Sequence, residues 1–451
     1  MDDKTKYSRK LFFSTLITLV LPIIIQNFIA AAVNSADTIM LSFVSQSALS
    51  GVSLASQIQF VFTLFLNGCM MGTQILVAQY WGKGEKDNVH KIMGVGITLA
   101  VIVASLFALA SLTIPQYLMR LFTNETPLIE NGIVYLRICG ISFIFMGISS
   151  VILTVLKSTK RAFLSAIIGS SSLIINIILN AIFIFGLLGS PKLGVVGVAL
   201  ATLIARAFEM IVCIIIVCRT EHMKLTPRDL IFSHKTLTKD FFRYAIPVIG
   251  NFLSWGSAFT MYSVILGHLG EDVVAANSIA SVVRNLSAVV CCGIGSGGAI
   301  MIGNQLGNGE IEHARVDGGR LVRASIATGA IGGLLVLLAR PLILHYMPLS
   351  PLATDYLSVM LYINSYYIIG KAINSTVIGG IFAAGGDSRF GFLCDTIDMW
   401  VFSVPLGFLC AFVFKIPVEW VYFVLCLDEF VKIPVVYIRY KKYKWLRNLT
   451  R

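Results

Sequence analysis

Charge is the scarce ingredient of this chain. Only 13% of its 451 residues are Asp, Glu, Lys or Arg, while 57% are hydrophobic and the mean hydropathy is +0.84. A soluble domain carries roughly a quarter charged residues, so water is excluded as the main solvent. No stretch is polar enough to form a sizeable soluble domain. The nine cysteines include no CxxC pair and no Cys/His cluster at zinc spacing, which argues against a zinc module and a thiol redox motif. Most lie inside apolar runs, where Cys291 and Cys292 read as helix packing. A GxSxG nucleophile and paired metal ligands are missing too, and with them the means of an intramembrane protease.

Long apolar runs are what the chain has in their place. A transmembrane helix needs about 20 apolar residues. Runs near 12–43, 50–81, 90–116, 130–156, 161–188, 194–218, 240–267, 273–306, 316–347, 354–384, 389–413 and 416–440 supply twelve such spans. Several exceed the minimum, as tilted helices do. The first run follows Lys4, Lys6, Arg9 and Lys10 as a signal peptide would, but it is longer than an h-region and lacks a small-residue cleavage site, so a retained first helix is expected. The expected fold class is therefore an all-α integral membrane protein.

The formal charge of +12 would suggest nucleic acid in a soluble protein, so its placement decides what it means. Twenty-six Lys and Arg fall in the termini and in alternate connections, against Arg120, Lys192, Arg340 and Lys415 in the others. Basic loops stay on the cytoplasmic side of a membrane. Both termini are expected there, in a multi-pass protein of the cell membrane, with the lipid bilayer and no nucleic acid as partner.

The two halves repeat. Pro22 matches Pro247, 225 residues on, and LSGVSLAS at 49 matches VAANSIAS at 274 at the same offset. Gly82-Lys83-Gly84-Glu85 matches Gly307-Asn308-Gly309-Glu310, and Leu136 matches Leu361, without a net gap. Six spans per half place both halves in the membrane in the same orientation. The expected domains are an N-terminal six-helix lobe over 1–219, a cytoplasmic connection over 220–239 and a C-terminal six-helix lobe over 240–451. Two such pseudo-symmetric bundles suit an alternating-access carrier rather than an enzyme. Gly293, Gly295 and Gly298 spell GxGxxG, but inside an apolar run this reads as close helix packing, not as a dinucleotide loop.

Ionisable groups inside a span are costly unless paired, hydrated or neutralised, so each is a functional candidate. Arg206 and Glu209 are spaced i,i+3 and Asp428 and Lys432 i,i+4, so local pairing is expected for both. Asp37 has no basic neighbour on its own helix, and Asn34 shares its face. A carboxyl group there can exchange a proton as its surroundings wet and dry. Asn176 and Asn180 lie on one face of the fifth span and Thr202 on the sixth; such neutral oxygens can hold Na⁺ or orient a proton, or serve interhelical packing. Lys371 is mid-span with no acid three or four residues away, and Asp395 and Asp398 of the next span are its expected partners. Gln57, Met70, Met71, Trp255, Met261 and Tyr262 offer an aromatic and thioether surface suited to flat cations, or equally a core.

Taken together, Pro22 with Ala36-Asp37-Thr38, the Gly82/Gly84 loop and its Gly307/Gly309 twin, NIILNAIFIFG at 176 and LGVVGVALAT at 193 resemble the MATE (multidrug and toxic compound extrusion) antiporters. Gly385-Gly386-Asp387 and the stretch Trp400 to Pro405 extend the resemblance over essentially the whole chain. It implies export of mostly cationic, amphipathic compounds and other xenobiotics in exchange for H⁺ or Na⁺, with no cofactor and no structural metal. The cation site of the first lobe would fall on Asp37, Asn176, Asn180 and Thr202. Some relatives have a second carboxylate where this chain has Asn180. The NorM-like branch has acids where this chain has Trp255 and Lys371 or Ala372, so the resemblance is to the branch that couples through a first-lobe Asp. A substrate cavity would involve Gln57, Met70, Met71, Trp255, Met261, Tyr262 and Lys371. The expected function is a multidrug efflux antiporter working as a monomer, with H⁺ favoured over Na⁺; the alternative is a flippase of lipid-linked oligosaccharide or lipid from the same superfamily.

Overall fold

In a computed structural model the described residues, 9–232, 234–347 and 349–450, are 88% helix with no strand among them. The side chains of Asn34 and Thr38 lie outside the described set. The first half holds α1 (Arg9–Ser42), α2 (Gln46–Lys83), α3 (Lys86–Thr113), the short α4 (Pro115–Arg120), α5 (Thr126–Ser158), α6 (Ala162–Phe185) and α7 (Gly194–Arg219). The second half begins with α8 (Lys235–Gly267), α9 (Glu271–Gly307), α10 (Ile311–Tyr346) and α11 (Pro351–Asn374). The starts of α2, α3 and α5 thus reappear at those of α9, α10 and α11, each 225 residues on. The turns repeat as well: Gly84 and Gly309 both take left-handed backbone, with φ of 83° and 79°.

Nine described helices are long and apolar enough to cross a membrane. The other three predicted spans are more polar or broken. Lys235, Lys239, Asp240 and Arg243 crowd the start of α8, and α11 runs on into a wider π-helical stretch, Ser375–Phe382. The last span is divided into α14 (Val418–Leu425), α15 (Asp428–Val431) and α16 (Ile433–Lys441) around Asp428, Glu429 and Lys432. Before it, α12 (Ser388–Ile397) continues through Asp398–Ser403, α13 (Val404–Phe408) and Leu409–Val413. With these, the twelve-helix, two-lobe architecture is complete.

The chain forms two compact units, and their boundaries depart from those expected from sequence. One is Ile25–Ile249; the other joins the described residues of Met1–Ile24 to Gly250–Arg451. Each crossover follows a proline inside a helix, Pro22 of α1 and Pro247 of α8. A proline there removes one backbone hydrogen bond and bends the helix. The start of each first helix then packs on glycines of a long helix in its own compact unit. A Cβ on Gly68 of α2 would stand 2.3 Å from Ile249 Cγ1, and one on Gly72 2.5 Å from Ala245 Cβ. The repeat-related Gly293 and Gly297 of α9 meet Ile24 and Val20 in the same way, each at 2.5 Å. These are small-xxx-small faces where backbones approach closely. They also account for the GxGxxG motif: a Cβ on Gly295 would meet the Ser375 carbonyl at 2.7 Å.

The connection between the halves is fastened to the first unit. Asp229 is buried, and its Oδ2 accepts from the Thr226 N–H at 2.8 Å and the Thr226 hydroxyl at 2.7 Å. His234 lies 3.1 Å from Oδ1, His90 of α3 lies 3.2 Å from Oδ2, and the Thr98 hydroxyl donates to the Leu230 carbonyl at 2.8 Å. Burial alone would push the Asp229 carboxyl up, but the Thr226 and His234 hydrogen bonds and the nearby His90 outweigh it and hold the group below its ordinary value. That contribution to stability is full above about pH 4 and is lost as pH falls through the folded-state value.

Gly68→Ala should lower the thermal midpoint of the purified protein, because Ile249 Cα would lie only 2.7 Å from the new carbon and backbone cannot step aside. The cost should be about 1–3 kcal/mol. Gly379→Ala, where nothing lies within 4 Å of a new Cβ, should leave the midpoint unchanged; equal effects would contradict the packing described here.

Candidate functional site

The first unit brings Asp37, Asn176, Asn180 and Thr202 into one chain of hydrogen bonds. Beyond Pro22, α1 carries the half-buried Asp37. One face of α6 carries Asn176 and Asn180, a turn apart, and α7 carries Thr202. Asn180 is fully buried; its amide donates to Asp37 Oδ1 at 2.6 Å and to Asn176 Oδ1 at 3.3 Å. Asn176 in turn donates to the Thr202 hydroxyl at 3.3 Å, and that hydroxyl donates to the Val198 carbonyl at 3.0 Å. Thr202 has therefore spent its proton on the backbone and can only accept from Asn176. The polarity of the chain is fixed from that end, and its last donor faces the carboxyl group.

Asp37, Asn176 and Thr202 open onto a cavity of about 450 Å³ within this unit. Gln57 lines it, as do Gln59, Ser53, Ser56 and Tyr135, which sequence spacing did not single out. Only their shared placement on α2 and α5 around Asp37 reveals them. Arg206 is the cation of the wall, and its guanidinium pairs with Glu209 at 3.0 Å as the i,i+3 spacing predicts. Glu209 is buried and also accepts from the Ser149 hydroxyl at 2.5 Å, so that acid is fully engaged. Met70 and Met71 lie further along α2, half-buried, and line no wall of this cavity.

The second unit corrects two expectations. Lys371 pairs with neither Asp395 nor Asp398: its ammonium lies 3.1 Å from Glu429 Oε1, on α15, and 5.3 Å from the centre of the Trp255 ring. Lys432 likewise leaves Asp428 alone and bridges Asp395 Oδ1 at 2.9 Å and Glu429 Oε2 at 3.1 Å. Asn374 donates to the same Glu429 oxygen at 2.8 Å, and Asn251 to Asp395 Oδ2 at 2.9 Å. Glu429 was the missing member. It lies 58 residues from Lys371, a separation on which helix spacing is silent. Trp255, Phe259 and Tyr262 follow one another along α8 with tilted rings, centres 4.6 and 5.4 Å apart, and Met261 packs against the same core.

Residues 22–182 and 247–409 match the MatE family, one stretch in each half. The chain belongs to the MatE family. MatE proteins are multidrug efflux transporters that draw on an ion gradient, need no cofactor, and are secondary transporters rather than enzymes. Among curated relatives, the chain is 23% identical to YisQ of Bacillus subtilis, an uncharacterized transporter, over 96% of its own length and 95% of that protein's. It is 27% identical to the multidrug resistance protein NorM of Vibrio cholerae, covering 88% and 87% of the two chains. Two solved MatE-like folds superpose closely. A MOP superfamily transporter from Pyrococcus furiosus gives a TM-score of 0.86 at 18% identity over 95% of both chains. The Vibrio cholerae MATE transporter VcmN gives 0.88 at 18% identity, covering 96% and 97%. At that identity the likeness speaks for the fold.

If the Lys371 to Glu429 pair is structural, Lys371→Met should cost about 1–3 kcal/mol, read as a lower thermal midpoint, because Glu429 and Asp395 are then left to the one ammonium of Lys432. Adding Glu429→Gln should recover more of the loss than adding Asp395→Asn, which acts only through the shared Lys432. Greater recovery through Asp395 would contradict the pairing seen here.

Proposed function

We propose that this MatE protein is a proton-coupled exporter of small organic, mostly cationic compounds, with Asp37 as the group that carries the proton. The observation behind the proposal is the placement of a single carboxyl group on a polar cavity, backed by a one-way chain of neutral donors. Asn180 engages Oδ1, which leaves Oδ2 as the atom that gains and loses the proton. A proton needs only that atom. Bare Na⁺ needs several oxygens to offset the loss of its water, and here the Asn176 oxygen and the Thr202 hydroxyl are already hydrogen-bonded along the chain. Protonation neutralises the cavity and ionisation makes it attractive to an organic cation, so proton and substrate exclude one another. Gln57 and Tyr135 supply polar and aromatic surface to the same cavity. Alternating access of the two lobes then exports substrate on one stroke and returns the proton on the other. In this reading the protein acts as a monomer in the cell membrane with both termini cytoplasmic, its site is of the first-lobe Asp type rather than the NorM-like type, and Trp255, Met261, Tyr262, Met70 and Met71 serve substrate passage.

Asp37→Asn should abolish ethidium efflux from inverted vesicles under an imposed proton gradient while leaving the amount of protein in the membrane unchanged. Asp37→Glu should retain part of the activity. Normal efflux by correctly inserted Asp37→Asn would overturn the assignment.

A further inference from the structure

The charges of the second unit remain unused by the Asp37 reading. Four acids gather there: Asp395 on α12, Asp398 just past its end, and Asp428 and Glu429 at the start of α15. Asp395 and Glu429 are held by Lys432, Lys371, Asn251 and Asn374. The other two acids are not. Asp428 is fully buried and Asp398 is 6% exposed, yet none of their four carboxyl oxygens has a hydrogen-bond partner among the described residues. The Ser403 and Tyr262 hydroxyls are buried and unpartnered in the same way. Tyr262 faces Ser403 without closing a hydrogen bond and feels the charges of both Asp428 and Asp398, and these two acids act on each other. The stretch after α12, which carries Asp398 and Ser403, packs on α15, which carries Asp428.

Counting charges around that place decides what it can hold. The cations are Lys371, Lys432 and Arg284 of α9, which donates to the Ser281 hydroxyl at 3.2 Å and lies over the Phe259 and Tyr367 rings rather than on a carboxylate. Tyr366, Tyr367, Cys394 and Cys426 also face the acids and are neutral in their protonated forms. Three positive charges thus stand against four carboxyl groups. The lysines are committed to Asp395 and Glu429, Arg284 offsets one acid of the remaining pair, and one negative charge is left over in a buried site. Two adjacent carboxyl groups resolve such an excess by sharing a proton.

We infer that Asp398 and Asp428 share one exchangeable proton, making a second proton site that works independently of Asp37. The proton comes from water onto an oxygen of either acid, and release returns it to water. Na⁺ in the same place would need several well-placed oxygens to replace its water, whereas a proton removes the surplus charge on a single oxygen. The repeat supports a division of labour. Tyr262 is the residue of α8 that corresponds to Asp37 of α1, so the carboxyl function that α1 supplies in one unit is supplied in the other by helices beside α8.

Infrared difference spectra of the full-length protein, recorded on pH change in the Asp37→Asn background, test this without any need for transport. A carbonyl band of a buried protonated carboxyl group should be present. Either Asp398→Asn or Asp428→Asn alone should remove it, because three acids then match three cations; thermal midpoints show whether each variant is folded. Persistence of the band in both folded variants would overturn the shared proton. Loss of the band on adding Na⁺ at constant pH, without substitution, would overturn it in favour of a sodium site. Since the band is read in protein that lacks Asp37, failure of the first-unit reading leaves this test intact.

Discussion

The constraint behind the whole arrangement is that a bilayer offers no water to a charge inside it. An ionisable group on a spanning helix must find a partner, reach a cavity or give up its charge. That rule sorts the polar residues of this chain into two sets. Arg206 with Glu209 within α7, and Lys371 and Lys432 with Glu429 and Asp395 in the second unit, have ion-pair partners at about 3 Å. Among the described residues, Asp37 has only a neutral amide on one oxygen, and it opens onto a cavity. A group held in that way is free to change its protonation state, which is what coupling requires.

Duplication supplies the frame and leaves the chemistry free to diverge. The starts of α2, α3 and α5, the left-handed glycine turns, the mid-helix prolines and the glycine faces on α2 and α9 all recur at one offset. The polar residues do not recur. Asp37 corresponds to Tyr262. Backbone packing is a demand both halves share, because close approach of two helices needs glycine wherever it occurs. A proton site is needed at defined places only, and in the proposed reading each half builds its own from different helices.

Much of this was legible in the sequence, for reasons that can be stated. Apolar runs and a fixed repeat give the helices and their order, since the bilayer imposes one length and one polarity on every span. Asp37, Asn176, Asn180 and Thr202 were visible as polar groups inside predicted spans, and the structure joins them in one chain of hydrogen bonds. The partner of Lys371 was not. Spacing arguments speak for residues on one continuous helix, and Glu429 belongs to another, in a span that breaks at Cys426. The expected Asp428 to Lys432 pair failed for a related reason: the Lys432 ammonium has two better-placed acids, Glu429 at i,i+3 and Asp395 across the helix interface. The exchange of helix starts at Pro22 and Pro247 was equally hidden, because a proline marks a bend but not which neighbour the bent segment meets.

The most direct test of proton coupling at Asp37 is substrate affinity against pH in the absence of Na⁺. Proton and cationic substrate compete for the same unit, so each weakens the other by the same factor. Affinity should fall as the solution is made more acidic, and Asp37→Asn should flatten the curve. An affinity indifferent to pH but reduced by millimolar Na⁺ would contradict proton coupling.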